Sequence, residues 1–209
     1  MRAIHHTARQ VRSADTEERI ATSARELLRS RGLEAVTMAD IAARAGVSIG
    51  GLYARFPSKE ALAVYLADKR VFEELERQSA GIFDDADTSA GDVVRRYMST
   101  AAALYRRNRP LLRAVYVATR TGTDEALRAR VREFNQKLHQ RLREAVLARC
   151  RGARPEAVNL GILSMMSTLR ELVLFGQPVS DLARLSEEEV VEELATQFMA
   201  YVDCRRKKK

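Results

Sequence analysis

The sequence predicts an all-α protein of about nine helices, and three of its features agree on this. Alanine, leucine, arginine and glutamate, which are good helix formers, dominate the 209 residues. Only four prolines and ten glycines interrupt them. Apolar residues recur at three- and four-residue spacing along most of the chain, and no stretch shows a convincing strand pattern. With 46% hydrophobic residues, the chain can bury a core.

The N-terminal part of the chain consists of a basic stretch followed by a first helix. Residues 1–15 are rich in arginine and show no apolar period, so we expect a flexible basic arm there. From Thr16 the apolar spacing becomes helical, with Ile20 and Leu27 on one face. Gly32 follows as a stop signal, and we therefore expect the first helix to end near it.

Two short helices follow the first. Thr37 stands three residues before Asp40, in a variant of the capping box, and starts a second helix over Met38–Ala45. Ser48 can cap a third helix that runs to about Phe56. Both helices are therefore predicted from cap residues as well as from apolar spacing.

The helices predicted for the rest of the chain are longer. Ser58 starts a fourth helix through about Ser79, and the acidic, turn-rich residues 80–91 predict a loop. Apolar spacing then predicts five more helices, over Asp92–Arg107, Pro110–Thr121, Asp124–Arg151, Glu156–Phe175 and from near Ser186.

The clearest functional signal lies in the stretch Thr37–Lys59. Its two short helices are joined only by Ala45-Gly46-Val47-Ser48, and a turn this short forces them to cross steeply. Gly46 can take the left-handed conformation that such a turn needs, and Val47 fills the angle between the helices. This is the pattern of a DNA-binding helix-turn-helix, whose second helix enters the major groove.

The second helix of the motif is unusual because Gly50 and Gly51 stand side by side in it. Each glycine costs roughly 1 kcal/mol relative to alanine in a helix interior. Either the glycines allow tight helix packing, or they let the helix backbone come close to DNA, and we favour the second interpretation. Leu52 and Phe56, four residues apart, face the core and leave the other faces of the helix for DNA.

Nine residues in and around this motif are expected to contact DNA. Ile49 can touch a thymine methyl group, and Arg55 can reach a guanine edge or a phosphate. Hydroxyl groups and backbone N–H groups at helix starts suit phosphate contacts. For Arg44 and Lys59, the alternative is an ordinary role as solvated charges. The nine residues are Thr37, Arg44, Ser48, Ile49, Gly50, Gly51, Tyr53, Arg55 and Lys59.

The motif belongs to a longer ordered set of residues. The set is Thr16-x-x-Arg19-Ile20, Leu27-Leu28, Gly32, Thr37, Ile41-Ala42, Ala45-Gly46-Val47-Ser48, Gly51-Leu52-Tyr53, Phe56 and Lys59-Glu60-x-Leu62. It resembles the N-terminal signature of the TetR family of transcriptional repressors. The resemblance implies a homodimer whose helical core binds a small-molecule inducer and then leaves its operator. The chain departs from the family pattern at Arg55, where many members have histidine, and at Gly50, where bulkier residues are common.

The same resemblance gives a domain plan. Residues 16–62 would form the helix-turn-helix domain, residues 63–204 a helical ligand-binding and dimerisation domain, and residues 205–209 a basic tail. Dimer contacts are expected from the last two helices, with packing into the chain's own core as the alternative. The candidate dimer residues are Gly161, Leu169, Leu172, Val190, Leu194 and Phe198.

A ligand pocket is expected among the helices between about residues 92 and 175. Large or pliable side chains gather there, and methionine adapts to irregular ligands. For each of them a plain core position is the alternative, and Arg170 can pair with an acid or bind an anionic ligand. The candidates are Met98, Tyr105, Tyr116, Phe134, Met165, Met166 and Arg170.

Positive charge is concentrated outside the helix-turn-helix. The chain carries a net charge of +8, but residues 95–154 hold 16 Lys and Arg against 4 Asp and Glu, a net of +12. One interpretation is solvated faces paired with acids of residues 61–94 and of the last helix. The other is a basic surface for an acidic ligand or for flanking DNA.

Several other classes of protein are disfavoured. Cys150 and Cys204 are the only cysteines and lack zinc-site spacing, so we expect a reduced, cytoplasmic protein without metal. No apolar run approaches the roughly 18 residues that span a bilayer, and no signal peptide is evident. A phosphate loop, a GxSxG elbow and HExxH are missing, and His139 is expected to be exposed, so no catalytic residue or cofactor is predicted.

These features together predict a ligand-responsive regulator. We expect a repressor that binds a palindromic operator of double-stranded DNA as a homodimer, because symmetric half-sites match a two-fold dimer. The partners would be the operator and a small-molecule inducer, without a membrane. A transcriptional activator, or a sequence-independent DNA-architectural protein built on the same domain, is the alternative.

Overall fold

In the computed structural model, residues 2–85, 87–122, 125–176 and 185–204 are described, and they form ten α-helices and no strand. This confirms the all-α class, while the basic tail predicted at 205–209 lies outside the described residues. The helices are α1 (Arg2–Ala35), α2 (Met38–Ala45), α3 (Ile49–Tyr53), α4 (Lys59–Ala67), α5 (Glu73–Asp84), α6 (Ala90–Arg107), α7 (Arg109–Thr121), α8 (Glu125–Arg149), α9 (Pro155–Phe175) and α10 (Glu187–Cys204).

Helix α1 is longer than the sequence predicts. It begins at Arg2, so the segment expected to be an arm is helical, and the expected start at Thr16 is wrong. Alanine, arginine and glutamine favour helix without needing an apolar face, which explains the longer start. Gly32 interrupts the helix with a φ of 76° and a ψ of 165°, at the predicted stop.

The structure divides the predicted fourth helix in two. A single helix was expected through Ser79, but α4 ends at Ala67 and a π-helical segment, Asp68–Phe72, precedes α5. A π-helical turn holds one more residue than an α-helical turn, and apolar spacing alone does not reveal it. This division raises the helix number from about nine to ten.

The loop predicted over residues 80–91 is mostly helix. Helix α5 continues to Asp84, which leaves a short connection before α6. Ile82 is buried, and the ring of Phe83 lies 5.7 Å from the ring of Tyr97 in α6. Burial of these two side chains stabilises helix in a segment whose composition favours a turn.

The helices form two compact units. The first contains α1 to α4 together with α7 from Pro110 onward, and the second contains α5, α6 and α8 to α10. The first unit ends at Asp68, a few residues beyond the predicted domain limit at residue 62, and α7 joins it from later in the chain.

The core of the first unit positions the helix-turn-helix. Ile20 of α1, Ile41 of α2 and Leu52 of α3 are completely buried in one cluster, and Leu111 of α7 packs against it. Because α3 has a single buried residue, this cluster holds the helix by one face only. The remaining faces of α3 are free of core packing.

The second unit has a core of its own between long helices. Helix α9 packs against α6, α8 and α10, and α5 packs against α6 and α8. Its completely buried side chains include Leu75 of α5, Met98 of α6, Leu142 of α8 and Leu169 of α9.

Part of the positive charge of residues 95–154 is paired on the surface of the second unit. Arginines of this segment contact acids of α10 and of the residues around α5, as the first interpretation of the charge predicts. The pairs are Arg95–Glu192 at 2.5 Å, Arg96–Asp85 at 3.7 Å, Arg106–Glu187 at 3.0 Å and Arg141–Glu76 at 3.6 Å. This confirms the interpretation for these four arginines.

Candidate DNA-binding and ligand-binding sites

The helix starts of the motif are closed by their own caps. Thr37 Oγ1 accepts a hydrogen bond from the backbone N of Asp40 at 3.1 Å, and the backbone N of Thr37 donates to Asp40 Oδ2 at 2.9 Å. The Thr37 hydroxyl also donates to Asp40 Oδ2 at 2.7 Å, and this bond, followed by the one from the Thr37 backbone, lowers the pKa of the Asp40 carboxyl. Ser48 and Ser58 cap α3 and α4 in the same way. The predicted caps are therefore confirmed as local structure.

The turn between α2 and α3 follows the prediction. Gly46 has a φ of 63° and a ψ of 38°, which is left-handed backbone. The next amide, of Val47, donates to the carbonyl of Ala42 at 3.0 Å and closes the turn. Because an L side chain is strained in this conformation, glycine at position 46 fixes the crossing of the two helices.

Helix α3 has an inner and an outer face. Leu52 is completely buried and Phe56, just beyond the helix, is nearly so. Ile49 and Tyr53 are 46% and 48% exposed, which is high for large apolar side chains. The outer face of α3 therefore presents these two side chains to solvent.

The glycine pair of α3 is not a packing device. A Cβ atom added to Gly50 would meet nothing within 4 Å, and one added to Gly51 would meet only Ser48 Oγ at 3.0 Å. Neither glycine has a positive φ, so the backbone does not require glycine there either. The tight-packing interpretation is wrong for both residues, and the close approach of DNA stays a prediction.

Arg44 is held by an acid of the neighbouring helix. Its Nη2 and Nε atoms donate to Oε2 of Glu26 in α1 at 2.6 and 3.0 Å. Both side chains are about half exposed. A phosphate contact of Arg44 would have to share or replace this ion pair, and it stays a prediction.

The other two cations of the motif donate to backbone carbonyls. Arg55 Nη1 donates to the carbonyl of Gly51 at 3.2 Å, within the same turn. Lys59 Nζ donates to the carbonyl of Val36 at 3.0 Å and so ties the start of α4 to the start of α2. These bonds fix both cationic side chains beside the motif, where their phosphate contacts stay predictions.

Three polar side chains of the second unit interact electrostatically. Burial raises the pKa of the Tyr105 hydroxyl in α6, and the nearby Arg170 guanidinium of α9 opposes this rise. Burial lowers the pKa of His139 in α8, and Arg170 lowers it further. Arg170 therefore lies within electrostatic reach of both groups, on three helices that pack together.

Three buried polar atoms of this unit have no hydrogen-bond partner. They are Ser79 Oγ in α5, Tyr97 Oη in α6 and Arg143 Nε in α8. Burial, together with the neighbouring Tyr105, raises the pKa of Tyr97 well above its usual value. Since buried polar groups almost always have partners, these three atoms mark the core as a candidate binding site.

An open groove of about 370 Å³ runs between α9 and α10. Gly161 forms its floor, because an added Cβ there would meet the Phe198 ring at 2.8 Å. Leu160 and Leu163 on the same helix are each 54% exposed. Helix α9 is also the one described helix long and apolar enough to cross a membrane, and 39% of that stretch is buried. The sequence expectation that no such run exists is therefore wrong for α9.

Comparison with known proteins identifies the first unit. Residues 20–66 match the family described as "Bacterial regulatory proteins, tetR family". Residues 20–66 are therefore similar to the DNA-binding domain of TetR-family regulators. The matched residues include all nine predicted DNA contacts, and no curated protein matches the chain. Among the described residues, no group of three or more His, Cys, Asp or Glu could hold a metal ion.

Solved structures extend the likeness beyond residues 20–66 to the rest of the fold. A transcriptional regulator from Rhodococcus sp. Rha1 has a TM-score of 0.68 and 19% identity over 90% of this chain and 96% of its own. The TetR-family regulator PfmR from Thermus thermophilus has a TM-score of 0.60 and 20% identity over 88% of this chain and 97% of its own. FadR from Thermus thermophilus, in complex with lauroyl-CoA, has a TM-score of 0.62 and 21% identity over 88% of this chain and 92% of its own.

The structure brings only part of the predicted ligand pocket together. Tyr105 and Arg170 are neighbours, and Met98 and Met166 are buried in the same unit. Tyr116 belongs instead to the first unit, because α7 groups with the DNA-binding helices.

Two further pocket candidates have other surroundings. Phe134 stacks on Phe72 with ring centroids 3.6 Å apart, and Met165 lines the groove between α9 and α10. Phe134 therefore has an aromatic partner, and Met165 faces α10. Tyr116, Phe134 and Met165 are corrected to these positions.

Two of the predicted dimer residues need correction. Leu169 and Val190 are buried within a single chain and do not line the groove, so they pack into the chain's own core. Gly161, Leu194 and Phe198 line the groove between α9 and α10, and Leu172 is half-buried, so dimer contacts of these four residues stay predictions. The exposed apolar residues of α9, Leu160 and Leu163, were missed because both lie beside the apolar stripe that defined the prediction.

Sequence reasoning missed two residues of the core site. His139 was expected to be exposed because charged residues surround it, yet it is largely buried beside Arg170. Its position three residues before Leu142, which is completely buried, was the available signal. Tyr97 gave no comparable signal, since the missing partner of its hydroxyl depends on how the helices pack.

Proposed function

We propose that this chain is a ligand-responsive transcriptional repressor that binds a palindromic operator as a homodimer and is released by a small-molecule inducer. The exposed helix α3 carries the proposal. Its outer face has bare backbone at Gly50 and two exposed side chains, Ile49 and Tyr53. A surface helix of this kind fits the major groove, which admits an α-helix.

DNA would be held around α3 by the capped helix starts. The backbone N–H groups and hydroxyls at Thr37 and Ser48 suit phosphate oxygens. Arg44, Arg55 and Lys59 add positive charge on the same motif. In this arrangement the phosphates orient the domain, while Ile49 and Tyr53 contact base edges.

A second copy of the chain is the proposed occupant of the groove between α9 and α10. Leu160 and Leu163 form an exposed apolar pair on a helix whose opposite face is buried. A two-fold dimer buries the same surface on both partners and presents two reading helices to two half-sites. This would also explain the apolar length of α9 without a membrane, in a reduced cytoplasmic protein.

The inducer is proposed to bind in the core of the second unit. The unpartnered atoms of Ser79, Tyr97 and Arg143 support this location. Two structures of the same fold, FadR from Thermus thermophilus and FadR from Bacillus subtilis, are described in complex with lauroyl-CoA and stearoyl-CoA. We assign no catalytic role to the chain, since regulators of this family are DNA-binding proteins.

The proposal is tested by selecting fragments of the source genome with the purified protein and sequencing them. We expect an inverted repeat, bound in a gel-shift assay. Gly50→Leu should weaken operator binding at least about 100-fold, because the leucine holds the helix backbone away from the base edges. Gly81→Leu is the matched control, since Gly81 also lies exposed in a helix with nothing within 4 Å of an added Cβ.

Two results would overturn the DNA-binding proposal. One is equal affinity of the wild-type protein for the selected repeat and for random DNA at physiological salt, which would favour an architectural protein. The other is normal operator binding by Gly50→Leu. Placing the operator upstream of a reporter gene separates a repressor from an activator by the sign of the change.

The dimer is tested by analytical ultracentrifugation of a double variant. Leu160→Glu with Leu163→Glu should yield a folded monomer, because both side chains are exposed in the single chain. Val117→Glu, at a residue that is 48% exposed in α7, is the control and should remain dimeric. A dimeric double variant would place the interface elsewhere.

A further inference from the structure

We infer that the inducer is an acid: a molecule with an apolar body and a carboxylate that enters the core of the second unit at Tyr97 and Arg143. The inference rests on the proposed function, because it names the chemical class of that inducer. It is carried by the polar atoms that the core leaves unpartnered and by the sign of the charges around them.

The partner that these atoms lack must be a hydrogen-bond acceptor. A guanidinium has donors and no acceptor, so the group that is missing beside Arg143 Nε must accept. The hydroxyls of Tyr97 and Ser79 can each donate as well. A carboxylate accepts several hydrogen bonds at once and has no donor of its own, which fits three donors on three neighbouring helices.

The charges around these atoms are positive. Arg143 and His139 stand four residues apart on α8, and burial, followed by the positive charge of Arg170 in α9, lowers the pKa of His139. No Asp or Glu among the described residues is buried. The positive charges of Arg170 and Arg143 would therefore stabilise a bound anion, and no buried acid would repel it.

The rest of the core suits an apolar body. Met98 of α6 and Met166 of α9 are buried in the same unit. Methionine side chains adjust to irregular shapes, so they can make room for an aliphatic or aromatic group. A ligand pocket usually combines such an apolar lining with a few placed polar groups.

A neutral apolar ligand fits less well. It would leave Tyr97 Oη and Arg143 Nε buried and still unpartnered, which is costly for both atoms. A buried water is the other possible partner of these atoms. The two possibilities differ in what happens when the Tyr97 hydroxyl is removed.

The test measures ligand binding to the full-length protein by thermal shift and by calorimetry. The probes are benzoate and octanoate, compared with benzamide and 1-octanol as neutral counterparts and with octanoyl-CoA. We expect at least one carboxylate to raise the melting temperature while its neutral counterpart does not. Equal effects of acid and neutral probe, no effect of either carboxylate, or binding of octanoyl-CoA alone would overturn the inference.

Variants then assign the site. Tyr97→Phe should raise or keep the melting temperature of the ligand-free protein, since it removes an unpartnered hydroxyl, and should weaken carboxylate binding at least about tenfold. Arg143→Met, which keeps the apolar stem of the side chain, should also weaken carboxylate binding at least about tenfold. Tyr65→Phe, in the first unit, is the control and should leave binding unchanged. A lower melting temperature with unchanged binding in Tyr97→Phe would indicate a structural water and overturn the inference.

An NMR titration gives a readout independent of stability. A bound carboxylate offsets the positive charge of Arg170, so the pKa of His139 should rise when the acid binds, unlike that of the other two histidines. An unchanged His139 in the presence of a bound acid would place the acid elsewhere. Gel-shift assays separate the two proposals. If only neutral probes release the operator, the inference of an acidic inducer is refuted, while the proposed regulatory function stands. If no operator is found, the proposed regulatory function is refuted, while binding of the acid can still be measured.

Discussion

The two units of this chain are stabilised by contacts of different range. In the first unit, the helix starts are closed by neighbours three residues away, as in Thr37 with Asp40 and Ser48 with Gly51. In the second unit, Arg149 binds the carbonyl of Phe83, 66 residues earlier in the chain. Short-range contacts can be recognised in a sequence, whereas long-range ones depend on packing that the sequence does not display.

The largest loss of stability is expected when a long-range contact of the second unit is removed. Arg149 donates to carbonyls of Phe83, Asp85 and Thr88, as well as to Ala145 in its own helix. Arg149→Met should lower the free energy of unfolding by about 2 to 4 kcal/mol, because it leaves several partly buried carbonyls without a charged donor. Urea denaturation measures it.

Two variants serve as controls for Arg149. Arg151→Met, at an exposed residue nearby, should change the free energy of unfolding by less than about 0.5 kcal/mol. Arg149→Lys should recover less than half of the loss, since one ammonium group cannot span three carbonyls. A loss below about 1 kcal/mol in Arg149→Met would mean that these bonds contribute little.

A smaller loss of stability is expected when a short-range contact of the first unit is removed. Thr37→Ala removes the hydroxyl that accepts from the Asp40 amide and donates to the Asp40 carboxylate at the start of α2, and should cost about 1 kcal/mol. Thr37→Ser keeps the hydroxyl and should restore most of the stability. Hydrogen exchange of the α2 amides locates the loss, and equal exchange in Thr37→Ala and the wild type would contradict a role for the cap.

The pH dependence of the second unit follows from His139. Its pKa lies below the ordinary value of 6.5, chiefly through burial and then through Arg170, so the folded state binds the proton less readily than the unfolded chain. Stability is therefore complete above that value and falls as the pH drops below it.

The variant His139→Gln separates this dependence from that of the carboxyl groups. Between about pH 7.5 and 5.5, the free energy of unfolding should fall less in His139→Gln than in the wild type. Chemical denaturation at both pH values measures the difference. Parallel pH profiles would show that His139 protonates equally well in the folded and unfolded states.

The smallest effect is expected from the surface ion pairs. Arg106 and Glu187 are 3.0 Å apart, with side chains 65% and 28% exposed. Arg106→Gln should cost less than about 0.5 kcal/mol, since water and salt screen exposed pairs. A loss as large as that of the cap at Thr37 would show that long-range contacts stabilise the second unit even at its surface.

The same contrast explains what could be predicted from the sequence. The bounds of α2, the left-handed Gly46 and the caps at Thr37, Ser48 and Ser58 were all predicted correctly, because each depends on residues within one turn. The partner of Arg44 was not predicted, since Glu26 reaches it only through the packing of α1 against α2.

The core of the second unit was less predictable for the same reason. Tyr105 and Arg170 were chosen for their size and charge and proved to be neighbours. The unpartnered state of Tyr97 Oη and the burial of His139 depend on three helices meeting, which no local pattern records. The helix through residues 80–84 was missed because Ile82 and Phe83 become apolar anchors only once α6 is in place.

The bare outer face of α3 limits how much sequence information the protein can read. With Gly50 and Gly51 contributing no side chain, Ile49 and Tyr53 are the two exposed side chains of the helix that can distinguish one base from another. In the proposed dimer, each half-site then specifies few positions, and a genome contains many matching half-sites by chance. Selectivity of that dimer must come from the fixed spacing of two half-sites and from how readily the DNA between them deforms, so the proposed operators should tolerate base changes better than changes of spacing.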